Sequence, residues 1–574
     1  MDFSGPVPDW ILRDTSVPSP CLPPISSPPQ FPPEDLVGDL SLYNATDLAR
    51  ELASAEVSDE QLILAAFARW AADCPAHLEG EFAFAIRDSL RNELFLAVDH
   101  FATIPICYWQ NGSRFLFASD PALLLSHPEI PRELNRTKVR EIFLDSEDTN
   151  ESDSTFHAGI HSIPPGHSLT FGTNGIRLRC YWRPQISDDL VPSREDEAFE
   201  MLRELLFASI RNRLRMGSRT GVLLSGGLDS SAITAIAAGI LESQGAMLPA
   251  LSSVAGSACA TAVRDERQFI ELFRARKNIQ LEFIEAAGRG PFDRLEDQTT
   301  YERTMLLSSR QFLYEEFDRA ALDQGVDLLL DGCLGELSAT TRGRGYYLEL
   351  LRHQRWSSLA GEFKGSSSRL STARSIGSEA QEWFKGTTPQ QDPIVLLADE
   401  FRASCTAKKK RTSRICEGQR GYQLAAVTAA MSRHSNRAGA VSLRKVRKSF
   451  PMLDRKLLEF CISAPASMKV RAGYSRYLVR RALDGVLPPK IQWRTSKMPF
   501  SPDYYLRYNA QLSIARHFVA AIGRHDPVRT IVDVDRLGLL LEPVHPVQGS
   551  WDALMTIPST LYMICFLRQF AEFR

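Results

Sequence analysis

Along His77–Asp88, Phe82, Phe84 and Ile86 alternate with small residues, the period-two pattern of a strand crowded on one face by a second layer. Leu94–Val98, Ile104–Trp109 and Phe115–Ala118 repeat the rhythm, which predicts a sheet-rich region. Helical spacing over Asp47–Leu52 and Ser58–Trp70 predicts flanking helices, and Ser58 with Gln61 makes a capping box for the second. The period changes at Glu195. From there to Leu214 an amphipathic helix carries Phe199, Leu202, Leu206, Ile210 and Leu214 on one face.

Beyond that helix, apolar runs alternate with helical stretches. Strands are predicted at Gly221–Leu224, Leu248–Val254, Leu281–Ile284 and Val326–Leu330, with helices at Ala232–Ile240 and Arg267–Arg276. Such alternation predicts a parallel sheet, whose ligands bind at the carboxyl ends of its strands. Pro18–Pro33 predicts an extended lead-in, and Ser187–Arg194 a polar linker. Ser366–Arg414 carries no clear pattern; its basic cluster Lys408–Arg411 reads as a solvated loop, with gripping an acidic peptide or closing over ATP as the alternative, and helices are expected to dominate afterwards.

Composition narrows the class without choosing a function. The chain's 574 residues are too many for one core, and 44% hydrophobic with 24% charged residues suits a globular protein. A net charge of −2 gives no global attraction to nucleic acid or membranes, and no apolar stretch reaches spanning length. The ten cysteines lack a Cys-X-X-Cys pair, and no signal peptide precedes the first helix, so a cytoplasmic location is expected.

The candidate chemistry concentrates where the strand Gly221–Leu224 meets Ser225-Gly226-Gly227-Leu228-Asp229-Ser230-Ser231. A strand passing through small residues into a helix N-terminus gathers backbone N–H groups around one point, a nest for an anion such as pyrophosphate. Leu224, Ser225, Gly226, Gly227, Asp229, Ser230 and Ser231 are the candidate ATP- and pyrophosphate-binding residues. Asp229 would repel a phosphate unless a cation stood between them, which points to Mg²⁺ and a nucleotide. A Gly-Lys-Ser/Thr ending is absent, so this is not a Walker loop. The segment resembles the Ser-Gly-Gly-X-Asp-Ser loop of the N-type ATP pyrophosphatases, which split ATP between its α- and β-phosphates.

The wider pattern resembles the asparagine synthetase family. Leu78-Glu79-Gly80-Glu81-Phe82-Ala83-Phe84, Asp99-His100-Phe101, Pro105-Ile106-Cys107-Tyr108 and Phe117-Ala118-Ser119-Asp120 are similar to its glutaminase domain. Asp331-Gly332-Cys333-Leu334-Gly335-Glu336 resembles its second signature loop, Phe450–Asp454 its Pro-Phe-Leu-Asp element, and Arg494–Phe500 its Arg-X-X-Lys segment. Asp265-Glu266 resembles a position near the nucleotide, and is equally an ordinary acidic helix start. The resemblance implies an α/β protein: an N-terminal nucleophile hydrolase-like sandwich over 36–185, after a Pro-rich lead-in at 1–35. An adenine nucleotide alpha hydrolase-like parallel-sheet synthetase domain, with a helical C-terminal part, is implied over 195–574.

By the same resemblance, Gly332 joins the ATP site, Asp229 and Glu336 hold Mg²⁺, and Lys497 and Glu336 are the catalytic candidates. The glutaminase nucleophile would be an N-terminal cysteine, whereas the sequence opens Met1-Asp2-Phe3, so that sandwich is expected to be inactive. Two branches of the family use an amine carried by the substrate. β-Lactam synthetases place a tyrosine where Cys333 stands, and the loop's Asp-Gly start and Gly-Glu end look more like the lasso-peptide cyclases. The expected function is therefore an ATP-dependent lasso-peptide macrocyclase. It would adenylate an Asp or Glu side chain of a precursor peptide and close the ring with the peptide's α-amine, releasing AMP and pyrophosphate. A leader-peptide protease is a further candidate partner. The alternatives are a β-lactam synthetase-like or ammonia-dependent asparagine synthetase-like ligase, and a non-catalytic binding relative.

Overall fold

A computed structural model describes residues 35–53, 58–143, 153–216, 219–256, 263–295, 308–366, 369–385, 396–403, 417–433, 445–545 and 551–573. The lead-in Pro18–Pro33 and the cluster Lys408–Arg411 lie outside them. Strands β1 (Leu36–Leu42), β2 (Gly80–Asp88), β3 (Glu93–Val98), β7 (His167–Gly172) and β8 (Gly175–Cys180) form an antiparallel sheet in that order. Strands β4 (Cys107–Asn111), β5 (Arg114–Ala118) and β6 (His161–Ser162) form a second sheet, ordered β5-β4-β6.

The alternation in β2 is used on both faces. Phe82, Phe84 and Ile86 pack against Leu62, Ile63 and Phe67 of helix Asp59–Trp70. Ala83 and Ala85 face Tyr108, Phe115 and Phe117 of the second sheet, with Ile106 just ahead of it. Small residues on that face let the two sheets close on each other, while each buried phenylalanine contributes about 1.5–3 kcal/mol of apolar burial. The capping box forms: Gln61 N donates to Ser58 Oγ at 3.4 Å, and Ser58 N donates to Gln61 Oε1 at 3.2 Å.

The second half is built on a parallel sheet ordered β11-β10-β9-β12-β13. Its strands are β9 (Thr220–Leu223), β10 (Leu248–Ser253), β11 (Ile279–Ile284), β12 (Leu328–Leu330) and β13 (Arg447–Ser449). All residues of β9, β10 and β12 are buried, as expected for strands covered on both faces. Helix Glu195–Leu214 keeps its predicted bounds and buries Phe199, Leu202, Leu206 and Ile210 against this sheet. The chain runs outward from β9 through β10 to β11, then returns to the other side of β9 for β12 and β13. The order therefore reverses between β9 and β12, which puts a crevice at their carboxyl ends.

Three expectations are corrected. The helix after β9 spans Leu228–Glu242 rather than Ala232–Ile240, so Asp229, Ser230 and Ser231 lie in its first turn. Within Ser366–Arg414, where the pattern predicts no element, Arg369–Lys385 and Asp399–Ala403 are helical. The stretch Arg267–Arg276 is α-helical only to Ile270 and then tightens into a 3₁₀ turn over Glu271–Ala275.

The sandwich and the parallel sheet meet through buried charges. Arg213, 2% exposed, stands 3.5 Å from both Glu81 and Asp454, and donates to Ser449 Oγ at 3.0 Å. Ser449 also hydrogen-bonds Glu81, and Arg447 reaches Asp39 at 3.2 Å and Glu81 at 3.6 Å.

Candidate active site

The loops after β9 and β12 open side by side at the crevice. Leu224 N still donates to Leu251 O at 2.8 Å, holding the first loop to the sheet. Gly226 then takes φ +68°, a left-handed turn that favours glycine. Gly227 caps the helix Leu228–Glu242 and supplies no side-chain acceptor, so the first-turn N–H groups stay available to an incoming anion. The Oγ of Ser230 accepts from Ser225 N at 3.1 Å and lies 3.0 Å from Ser225 Oγ, drawing the turn closed. Leu224 and Ser231 are buried, so Leu224 offers backbone alone, and Ser231 Oγ points into the protein without a hydrogen-bond partner.

The second loop is pressed onto the first. Asp331 N donates to Ser449 O at 2.9 Å, and Asp331 Oδ1 accepts from Cys333 N at 2.9 Å. A Cβ on Gly332 would stand 2.9 Å from Ser230 N, and one on Gly335 would overlap Asp229 Oδ1. Thr340, whose N–H donates to Gly335 O at 3.0 Å, hydrogen-bonds Asp229 Oδ1 through its hydroxyl. Burial raises the Asp229 carboxyl above the usual range, opposed by Thr340, Arg476 and Lys497. Cys333 is solvent-exposed on this loop.

A third segment brings the cation. Arg480 donates to Ser475 O at 3.0 Å and Arg494 O at 2.9 Å, and it also binds Gln492 O. These bonds fix the turn that precedes Lys497. The Lys497 Nζ stands 2.6 Å from the position a Cβ on Gly227 would occupy, directly over the anion nest. The structure thus brings together Ser225–Ser230, Gly332 and Lys497, and turns the Ser231 hydroxyl away from them. Glu336 belongs to the second loop, but its carboxylate is 60% exposed and turned to Arg476 at 3.2 Å and Arg342 at 3.5 Å.

Sequence reading missed Thr340 and Arg476. Thr340 carries no periodic or motif signal, and Arg476 is placed by its left-handed φ of +60° between Ser475 and the helix Tyr477–Ala482. Among the described residues, no group of three or more His, Cys, Asp or Glu could hold a metal by itself. Mg²⁺ does not require one, since it takes one or two carboxylates together with substrate phosphates. Asp229 beside the nest fits that demand.

A family model described as asparagine synthase matches residues 201–555, and a glutamine amidotransferase domain model matches 36–182. Asparagine synthetase [glutamine-hydrolyzing] 3 of Bacillus subtilis is 26% identical over 87% of this chain and 80% of its own length. Asparagine synthetase [glutamine-hydrolyzing] 2 of the same organism is 32% identical over 28% of this chain and 22% of its own. Amidase chry2 of Gibberella zeae is 28% identical over 40% of this chain and 34% of its own.

Proposed function

The chain belongs to the asparagine synthase family and is an ATP-dependent amide-bond-forming ligase; from that premise we propose that it is a peptide macrocyclase of the lasso type. The observation that carries the ligase chemistry is the convergence of Gly227, Asp229, Gly332 and Lys497 at the β9–β12 crevice. Ser225, Gly226, Gly227 and Ser230 receive the β- and γ-phosphates on backbone and hydroxyl donors. Asp229 would hold Mg²⁺, joined by Glu336 once it leaves Arg342 and Arg476. Held there, the ion would supply positive charge against the phosphates.

A peptide carboxylate attacks the α-phosphorus, and pyrophosphate departs toward Lys497, whose charge stabilises the leaving group. The peptide's own α-amine then attacks the acyl carbon of the adenylate, displacing AMP. Its tethering replaces a high concentration of external nucleophile.

The test is ATP–pyrophosphate exchange with acidic precursor peptides. Exchange that depends on the peptide and is lost in Asp229→Ala supports the proposal; exchange surviving that substitution sinks it. AMP formation from glutamine and aspartate would instead favour an asparagine synthetase-like ligase.

A further inference from the structure

Lys497 is exposed, with its Nζ over Gly227 and its charge acting on Asp229. The main chain on either side of it is held instead. Arg494 Nε donates to Ser496 O at 2.6 Å, and Glu266 Oε1 accepts from Met498 N at 2.7 Å. Lys497 is therefore the apex of a short bow whose two feet are pinned by two side chains.

Those two side chains are bonded to each other. The Arg494 guanidinium meets both carboxylate oxygens of Glu266, one of them at 2.9 Å, and lies 3.7 Å from the centroid of the Phe269 ring. Only 10% of the Arg494 side chain and 6% of the Glu266 side chain are exposed. Arg494 also donates to Gly226 O at 3.1 Å, and a Cβ on Gly226 would meet Glu266 Cβ at 3.2 Å. The pair thus grips the anion loop as well as the bow. A buried, forked ion pair of this kind is rigid, because either charge left alone would be heavily penalised.

We propose that Glu266 and Arg494 are positioning residues that clamp the Ser496–Met498 bow onto the Gly226 turn and so aim Lys497 at the pyrophosphate. The inference rests on the reading of Lys497 given above. Lysine's flexible stem gains no direction from the ion it meets, so holding its backbone in advance removes part of the ordering cost of binding. The fork geometry matters: a lysine at position 494 would keep the charge but lose the planar, two-bond grip.

The experiment uses the full chain. Binding of Mg²⁺–pyrophosphate is titrated calorimetrically for wild type, Lys497→Ala, Glu266→Gln, Arg494→Lys and Glu266→Gln/Lys497→Ala, and amide exchange is followed across 494–500. Arg494→Lys serves if Glu266→Gln unfolds. The clamp predicts faster exchange across that segment in both clamp variants and pyrophosphate affinity weakened about tenfold or more. It also predicts that Glu266→Gln adds nothing once Lys497 is already alanine, since a clamp acting through Lys497 has nothing left to aim. Losses that multiply in the double variant, or clamp variants that bind like wild type, overturn the clamp. Wild type that binds no pyrophosphate, or Lys497→Ala that binds as well as wild type, overturns the functional reading and the clamp's purpose with it.

Discussion

Replacing Gly332 by alanine tests whether the two strand-end loops form one site. The new Cβ would stand 2.9 Å from Ser230 N and 3.2 Å from Asp229 Cβ and Ser230 Cα. Comfortable separations begin near 3.5 Å, so the loops must part by about half an ångström. Two of the three obstacles are main-chain atoms in the first turn of a helix, which cannot swing aside as a side-chain end would. Overpacking of this kind costs about 1–3 kcal/mol of stability. A misplacement of about 1 Å can cost about a hundredfold in rate, so half of it predicts about a tenfold loss. ATP–pyrophosphate exchange measures the rate and thermal unfolding the stability. Gly523→Ala is the control, because nothing lies within 4 Å of its added Cβ. Wild-type exchange and an unchanged melting temperature in Gly332→Ala would refute the packing of the two loops described here.

Two further substitutions probe the charges. Thr340→Val removes a hydrogen bond that lowers the Asp229 pKa against the larger effect of burial. The carboxyl then takes up its proton at a higher pH, so the acid limb of the exchange-rate profile should move upward; a limb that stays or moves down contradicts the assignment. Arg213→Met leaves Glu81 and Asp454 without their buried partner. It should cost about 3–5 kcal/mol in urea unfolding, and a loss below about 1 kcal/mol would show that the pair is dispensable.

The parts legible in the sequence are those whose physics is local. Phe82, Phe84 and Ile86 announced their strand through period two, and Phe199–Leu214 announced their helix through period 3.6. Ser225–Ser231 was legible because turn chemistry does not ask for an aspartate beside two glycines. Strand β13 was not legible: Arg447-Lys448-Ser449 has no apolar residue, and its place in the sheet comes from pairing with β12 and from acids on the sandwich. Arg369–Lys385 is not legible because its serines and glycine mask the helical spacing of its buried Thr372, Glu379 and Glu382. The Glu266–Arg494 pair joins residues 228 positions apart, a separation at which neither pattern nor capping carries information.

Strand β13 ties these regions together in a way that bears on how the chain can be divided. Ser449 gives its hydroxyl to Glu81 of the sandwich, while its carbonyl receives Asp331 N from the ATP-side loop. A fragment beginning at Glu195 would keep Arg213 and Arg447 but lose Asp39 and Glu81, leaving a basic wound at the sheet edge. The sandwich thus supplies the acids that neutralise this cationic edge of the synthetase half.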